Sequence, residues 1–184
     1  MESRVAIQIE KNFLPTLFFD KLTGVLDNKF NWFWNPSSAE KYNPSISSNR
    51  TPLDKHFMFT HILWDFEIGR SSPHYEIFES ILYFVDKHVK VERIIRMKLN
   101  LYTNQGKRID HAPHYDIRDE KDKVMNNVDI TILNFTTCNG GTTINKKDYK
   151  SVKNQALIFK NSLKHNGYVQ TDTQRRVVLN IATS

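Results

Sequence analysis

The feature that most constrains the fold is a change in hydrophobic period near residue 94. From there on, apolar and polar residues alternate, as in a β-strand with two different faces. One face of the predicted strand carries Ile95, Met97, Leu99 and Leu101, and the other carries Arg96, Lys98, Asn100 and Tyr102. A polar face that points into a protein is costly unless it holds something polar. The pattern therefore predicts a polar site inside a β core.

More short strands are predicted towards the C-terminus, separated by connections that contain Gly and Asn. They cover residues 129–136, 156–160, 167–170 and 176–183. Many short strands after two helices favour an α+β chain with a mainly β core. We expect an antiparallel β-sandwich or jelly roll whose helices pack on one sheet.

The N-terminal half supplies those two helices. One is predicted from Pro15 to about Leu26 and the other from about Pro73 to His88, each with an apolar stripe at helical spacing. Short extended segments are predicted at 5–9 and 57–66. Residues 34–54 are rich in Asn, Ser and Pro and are interpreted as a long loop or lid.

Composition narrows the classes of protein that this chain can belong to. Its 184 residues suit one domain with a real core, and the single cysteine, Cys138, excludes an internal disulfide or a cysteine-based zinc cage. No apolar run approaches the ~20 residues of a membrane span, and the first residues lack the apolar segment of a signal peptide. A cytoplasmic protein without a membrane partner is expected. Nothing in the sequence indicates an oligomeric state.

The strongest chemical signal is the tripeptide His114-Tyr115-Asp116. Two residues apart on a strand, His114 and Asp116 project from the same face, so that an imidazole and a carboxylate can bind one metal ion. His165 follows an apolar strand and is placed to supply a third ligand. Two imidazoles and one carboxylate form the facial triad of iron(II) oxygenases. A His-x-Asp alone is a weak signal, because it is more often part of an exposed polar turn.

Residues from about 94 to 182, roughly half of the chain, resemble the catalytic core of the 2-oxoglutarate/Fe(II) dioxygenase superfamily. The likeness is greatest to prolyl-4-hydroxylase-like enzymes and to small oxygenases of that type encoded by phages. The matching pieces occur in the order of the family. They are Leu99–Tyr102, the His-x-Asp at 114–116, Ile132–Phe135, the Gly-Gly-x-Thr-like turn in Asn139–Thr143, Asn154–Phe159, His165 and a basic residue on the last strand.

The resemblance implies a double-stranded β-helix, or jelly roll, with supporting N-terminal helices. Residues 1–184 are expected to form one oxygenase domain, with 1–93 as a helical and lid support region and 94–184 as the jelly-roll catalytic core. It also implies Fe(II) at His114, Asp116 and His165. The co-substrates would be 2-oxoglutarate and O₂, with ascorbate as a candidate reductant. Hydroxylation of a C–H bond would accompany release of succinate and CO₂.

A bound 2-oxoglutarate also needs a cation for its far carboxylate. Guanidinium suits this role because it stays charged and can bind through two N–H groups. Spacing from His165 favours Arg175, whereas the strand register favours Arg176, and Arg176 is our preference. Tyr102 is expected to help hold the carboxylate, and Asn100 on the same face is a further candidate.

Two residues near the first ligand, His111 and Tyr115, are interpreted as substrate contacts at the rim of the pocket. The predicted substrate is a prolyl or other side chain of a peptide or protein. A nucleic-acid-modifying (AlkB-like) dioxygenase is an alternative, because the net charge is +6 and Lys107 and Arg108 lie close to the triad in sequence. A non-catalytic jelly-roll binding module is the other alternative.

Overall fold

A computed structural model describes residues 7–27, 29–42 and 50–184, which form mainly β structure. The strands are β1 (Gln8–Lys11), β2 (Phe33–Asn35), β3 (Glu40–Tyr42), β4 (Arg50–Pro52), β5 (Met58–Asp65), β6 (Gly69–Arg70), β7 (Ile94–Thr103), β8 (Asp129–Asn134), β9 (Gly141–Ile144), β10 (Lys147–Lys150), β11 (Gln155–Lys160), β12 (His165–Tyr168) and β13 (Arg175–Thr183). The helices are α1 (Thr16–Asp27), α2 (Tyr75–Glu79) and α3 (Leu82–Val85).

Two antiparallel sheets position the candidate site. The large sheet has the order β1-β11-β8-β13-β7-β5-β2, with β6 paired to β5. The small sheet has the order β10-β9-β12, and isolated bridges extend it from β12 to Asp110 and His114. Strands β3 and β4 pair only with each other. The last strand, β13, lies between β7 and β8, so strands that are distant in sequence are neighbours in space. The predicted mainly β, jelly-roll core is confirmed.

The large sheet has an apolar side that packs against α1. Residues of α1 at helical spacing, Phe19, Leu22 and Leu26, share one buried cluster with alternate residues of the central strands. Those strand residues are Met97, Leu99, Leu101, Val177, Leu179 and Ile181. Burying a side chain of this size contributes roughly 1.5–3 kcal/mol. The residues between them point to the other side of the sheet, towards the small sheet.

The predicted second helix, 73–88, is wrong as a continuous element. The backbone N–H of Ile81 donates to Phe78 O at 3.0 Å, a bond over three residues that tightens the chain between α2 and α3. Phe78, Ile81 and Val85 are fully buried on both sides of this break. Within the described ranges, no helix has the length and apolar character that crossing a membrane requires.

Several predicted boundaries also differ from the structure. The predicted loop 34–54 contains β3, β4 and part of β2, and the predicted strand 167–170 instead runs from His165 to Tyr168. Strands β9 and β10 were not predicted, because neither alternates between apolar and polar residues. Residues 5 and 6 of the predicted first strand, and residues 43–49 of the predicted loop, lie outside the described residues.

Candidate active site

The three predicted metal ligands meet where the small sheet is extended by His114. The backbones of His114 and His165 exchange two hydrogen bonds of 2.8 and 3.1 Å, so that the two imidazoles lie side by side. Asp116 projects to the same place, with Oδ2 3.0 Å from His165 Nε2 and Oδ1 3.8 Å from His114 Nε2. The candidate ligand atoms lie within 4.8 Å of one another. The structure therefore brings together the residues that the sequence singled out.

Both imidazoles are oriented by the chain itself. His114 Nδ1 lies 3.0 Å from the carbonyl oxygen of Ala112, and His165 Nδ1 lies 3.1 Å from that of Leu163. A carbonyl only accepts, so each Nδ1 carries a proton, and each Nε2 is the nitrogen that faces Asp116 and could bind a metal. This arrangement is typical of histidines that bind a metal through Nε2.

The electrostatics of the three side chains also suit a cation. Burial lowers the pKa of His114 to about 4, and the neighbouring His165 adds to this effect. Burial acts in the same direction on His165, but the nearby Asp116 carboxylate outweighs it and raises the His165 pKa. Burial raises the pKa of Asp116, yet His165, Arg96 and His114 together hold it well below its ordinary value. The site therefore offers a carboxylate anion, the form that metal binding requires.

The backbone around Asp116 is held by a buried asparagine that the sequence did not single out. Asn161 Oδ1 accepts from the N–H groups of Asp116 and Ile117, at 3.0 and 3.1 Å. Its amide donates to the carbonyls of Ile117 and Met125, at 2.7 and 3.0 Å. All four bonds join segments that are distant in sequence. The only sequence signal was an Asn directly after the apolar strand β11.

A buried arginine lies in the same cavity as the triad. Arg176 is 1% exposed, and within the described residues it forms no ion pair. Its Nη2 donates to Thr142 Oγ1 at 3.2 Å, and its guanidinium lies 5.1 Å from the Tyr102 ring. Its Nε and Nη1 are buried and have no hydrogen-bond partner among the described residues. Arg175, in contrast, is exposed and pairs with Asp27.

The space beside Arg176 exists because residue 167 is a glycine. A Cβ at Gly167 would lie 3.2 Å from His111 Nδ1, 3.6 Å from the Tyr102 hydroxyl and 3.8 Å from Arg176 Nη1. Asn100 faces the same cavity, and its Oδ1 is buried without a partner. A cavity lined by an unpaired guanidinium and a tyrosine hydroxyl fits a carboxylate ligand.

His111 separates this inner cavity from an outer groove of about 600 Å³. It is 3% exposed, its Nε2 has no hydrogen-bond partner, and burial lowers its pKa to about 4. His56, which the sequence did not indicate, lines the groove with its ring 6.1 Å from that of His111. Tyr115 is not among the residues that line the inner cavity, and its ring lies 5.4 Å from the Arg118 guanidinium. The structure thus brings His111 to the site, but does not bring Tyr115 into the inner cavity.

One carboxylate ties the predicted loop to the segment that leads into the triad. Asp54 accepts from the N–H groups of Ala112, Ser38 and His56, at 2.9, 3.0 and 3.2 Å, and from the Ser38 hydroxyl. Burial raises the pKa of Asp54, but these hydrogen bonds outweigh it and lower the pKa to about 2. The carboxylate therefore stays ionised, and Ser38, Asp54 and His56 form one wall of the site.

The fold is shared with known oxygenases. One is a 2OG-Fe(II) oxygenase family oxidoreductase from Burkholderia pseudomallei, with a TM-score of 0.65, 8% identity, and coverage of 96% of this chain and 84% of that chain. Another is a viral collagen prolyl hydroxylase from Paramecium Bursaria Chlorella virus-1, with a TM-score of 0.58 and 11% identity. The match covers 97% of this chain and 96% of that chain. A third is a prolyl hydroxylase from Trichoplax adhaerens, in complex with a hypoxia inducible factor peptide fragment. It has a TM-score of 0.58 and 13% identity, and the match covers 98% of this chain and 84% of that chain.

These likenesses confirm the expected fold. No protein-family model and no curated protein sequence matches the chain. At such low identities a structural likeness shows the fold alone. The chemistry has to be argued from the side chains of the site.

Proposed function

We propose that residues 1–184 form one Fe(II)- and 2-oxoglutarate-dependent dioxygenase domain that hydroxylates a C–H bond. The observation that carries this proposal is the position of Arg176, a buried cation without an ion-pair partner among the described residues, in the same cavity as the His-Asp-His cluster. A metal site alone would not need such a cation. A dicarboxylate that reaches from a metal to a guanidinium would use both.

Five residues of the cavity then have a defined task. His114, Asp116 and His165 would hold the metal, and Arg176 would hold the far carboxylate of 2-oxoglutarate together with the Tyr102 hydroxyl. When bound, the iron and its co-substrates supply the oxidising chemistry, with succinate and CO₂ as by-products.

The chain also separates co-substrate from substrate. His111 forms the wall between the inner cavity and the outer groove, and Asp54 fixes the adjoining segment at Ala112. We place the substrate in the outer groove, where it would cover the inner cavity and exclude water from it.

For the substrate we propose a prolyl or other side chain of a peptide or protein. Of the residues that favoured nucleic acid in the sequence, Arg108 is poorly suited to phosphate. The Arg108 guanidinium pairs with Asp110 and Asp148, each at 2.7 Å, and stacks on the Tyr168 ring at 4.0 Å. His111 is buried and its pKa is low, so it carries no charge at neutral pH. A groove with compensated charges suits a peptide better than a polyanion.

The test is Fe(II)-dependent conversion of 2-oxoglutarate to succinate, with ascorbate as reductant. We expect turnover by the wild type, and loss of turnover in His114→Ala, Asp116→Ala and His165→Ala variants that remain folded by circular dichroism. His88→Ala, at a partly exposed histidine beside Glu10, is the matched control and should keep its activity. Absence of turnover in the wild type, with every class of substrate offered, would favour a non-catalytic binding module.

The same assay separates the substrate classes. Proline-rich peptides and single-stranded oligonucleotides are offered in parallel at two salt concentrations, and the increase in succinate release is measured. We expect stimulation by peptide that changes little with salt. Stimulation by the oligonucleotide alone, lost at high salt, would replace the peptide with a nucleic-acid substrate and leave the iron chemistry intact.

A further inference from the structure

Arg96 contacts Asp116 directly, and the proposed reaction gives it no task. It lies on the cavity face of β7, and its Nη2 donates to Asp116 Oδ1 at 2.8 Å. The Nη1 of Arg96 lies 3.4 Å from the backbone carbonyl oxygen of Asp116. The side chain is 19% exposed, and its Nε is buried with no hydrogen-bond partner in the described part of the chain. On the other side of the carboxylate, the Asn180 amide donates to Oδ2 at 3.0 Å.

These contacts fix the orientation of the carboxylate. The terminal torsion of an aspartate is broad and roughly two-fold, so a free carboxylate samples many orientations. In this chain each oxygen has its own donor, and the two donors come from neighbouring strands of the large sheet, β7 and β13. The backbone contact of Arg96 resists sliding of the chain at residue 116. Asp116 is therefore aimed at the two imidazoles by the large sheet, although its own segment extends the small sheet.

We propose that Arg96 is a positioning residue for the metal-binding carboxylate, holding Asp116 in the orientation that completes the metal site. The inference rests on the proposed function, because it takes Asp116 to be a metal ligand. It concerns metal affinity and coordination geometry, which are measurable without turnover.

Removing Arg96 has two opposite effects on metal affinity. A guanidinium near the site repels a divalent cation, so its loss favours binding. Its loss also frees the carboxylate, and removal of groups that orient metal ligands typically weakens binding about 10–100-fold. The guanidinium is partly exposed, so solvent screens the repulsion. We therefore expect the orienting effect to win, with a net loss of roughly tenfold or more.

The experiment measures Mn(II) binding to the metal-free protein by electron paramagnetic resonance, in the wild type, Arg96→Met and Arg96→Lys. We expect Arg96→Met to bind Mn(II) about 10–100-fold more weakly than the wild type. Arg96→Lys keeps one donor for Oδ1 but cannot reach both oxygen atoms, so its affinity should lie between the other two. In Co(II)-loaded protein, the d–d absorption of Arg96→Met should also differ from the wild type, which a loss of general stability would not cause.

Arg118→Gln is the matched control. Arg118 lies on the same segment as Asp116, is also partly exposed, and donates to the Asp122 carbonyl at 2.7 Å. The Arg118→Gln variant should bind Mn(II) with the same affinity as the wild type. If Arg96→Met fails to fold, weaker binding by folded Arg96→Lys supports the proposal, and binding equal to the wild type overturns it.

Mn(II) binding distinguishes a failure of the proposed function from a failure of the role given to Arg96. A wild type that does not bind Mn(II) would overturn the proposed function, and this inference with it. A wild type that binds Mn(II), with Arg96→Met binding as tightly or more tightly, would overturn only the role of Arg96. In that case repulsion, and not orientation, would be its main effect on the site.

Discussion

The two faces of β7 and β13 are made from alternating residues of the same strands, and they differ in chemical character and in role. On the face that packs against α1, Leu99 and Leu179 are fully buried among other apolar side chains. On the cavity face, Asn100, Arg176 and Asn180 are buried almost as deeply. The first face accounts for the cohesion of the fold. The second places polar groups where folding alone would not favour them.

The two faces also differ in the hydrogen-bond pairing of their buried polar atoms. On the helix-side face, His61 of β5 has both of its nitrogens paired, Nδ1 with Asn31 O at 2.6 Å and Nε2 with Ser72 Oγ at 2.7 Å, whereas Trp64 Nε1 and Thr131 Oγ1 have no hydrogen-bond partner within the described residues. On the cavity face, Arg176 Nε and Nη1 and one oxygen each of Asn100 and Asn180 have no partner in the part of the chain that the structure describes. A buried unpaired polar group costs about 1–3 kcal/mol. Unpaired atoms occur on both faces, but those of the cavity face gather in one cavity beside the triad, where a ligand could bind.

The largest effect is expected at the two neighbouring arginines. Arg176→Gln should raise the concentration of 2-oxoglutarate needed for half-maximal turnover steeply, because loss of a buried charge-assisted pair costs ~2–5 kcal/mol, or about 30-fold to several thousand-fold. Arg175→Gln, one residue away and exposed, should stay within a few-fold of the wild type. Titration of succinate formation against 2-oxoglutarate measures both. The reverse order of sensitivity would assign the anchor to Arg175.

The second prediction concerns stability and compares the two faces of β13. Leu179→Ala should lower the free energy of unfolding by about 2–5 kcal/mol, since it leaves a cavity in the apolar cluster. Arg176→Met should not lower it, and by comparison with other buried charges replaced by apolar side chains we expect a gain of about 1–4 kcal/mol. Urea unfolding of the ligand-free proteins checks both values. A large loss of stability in Arg176→Met would mean that the cavity face also supports the fold.

Much of this contrast could be predicted from the sequence because alternation is a local property. The period of two in residues 95–102 separates the apolar face from the polar face, and the same period along β13 favours Arg176 over Arg175 as the inward residue. These two inferences need only the pleat of a single strand. The predicted strand at His114–Asp116 is wrong, because His114 forms only an isolated bridge and Asp116 lies in a bend, although both side chains reach the same site.

The contacts that complete the site could not be predicted in this way. Arg96 and Asp116 are 20 residues apart, Asn161 and Asp116 are 45 apart, and Asp54 and Ala112 are 58 apart. These pairs meet because of strand order and register across two sheets, which the hydrophobic pattern of one segment does not encode. For the same reason the small sheet, whose strands carry mixed polar residues, was only partly predicted.

The smallest effect should come from His61, a polar member of the helix-side face. Burial lowers its pKa, and the nearby His74 acts in the same direction, while the carbonyl of Asn31 acts against both. In the unfolded chain a histidine has a pKa near 6.5. Above that value both states are neutral at this position and its contribution to stability is complete. As the pH falls below it, the unfolded chain binds a proton that the folded chain does not, and stability decreases.

The slope from one such group cannot exceed about 1.4 kcal/mol per pH unit. Because other buried histidines titrate as well, the informative quantity is the difference between the wild type and His61→Gln, whose amide can still form a hydrogen bond inside the cluster. Urea unfolding at pH 7.5, 6.5 and 5.5 should show the variant losing less stability on acidification than the wild type. Parallel curves would mean that His61 can take up its proton without leaving the apolar face. The paired nitrogens of His61 would then not make its contribution to stability depend on pH.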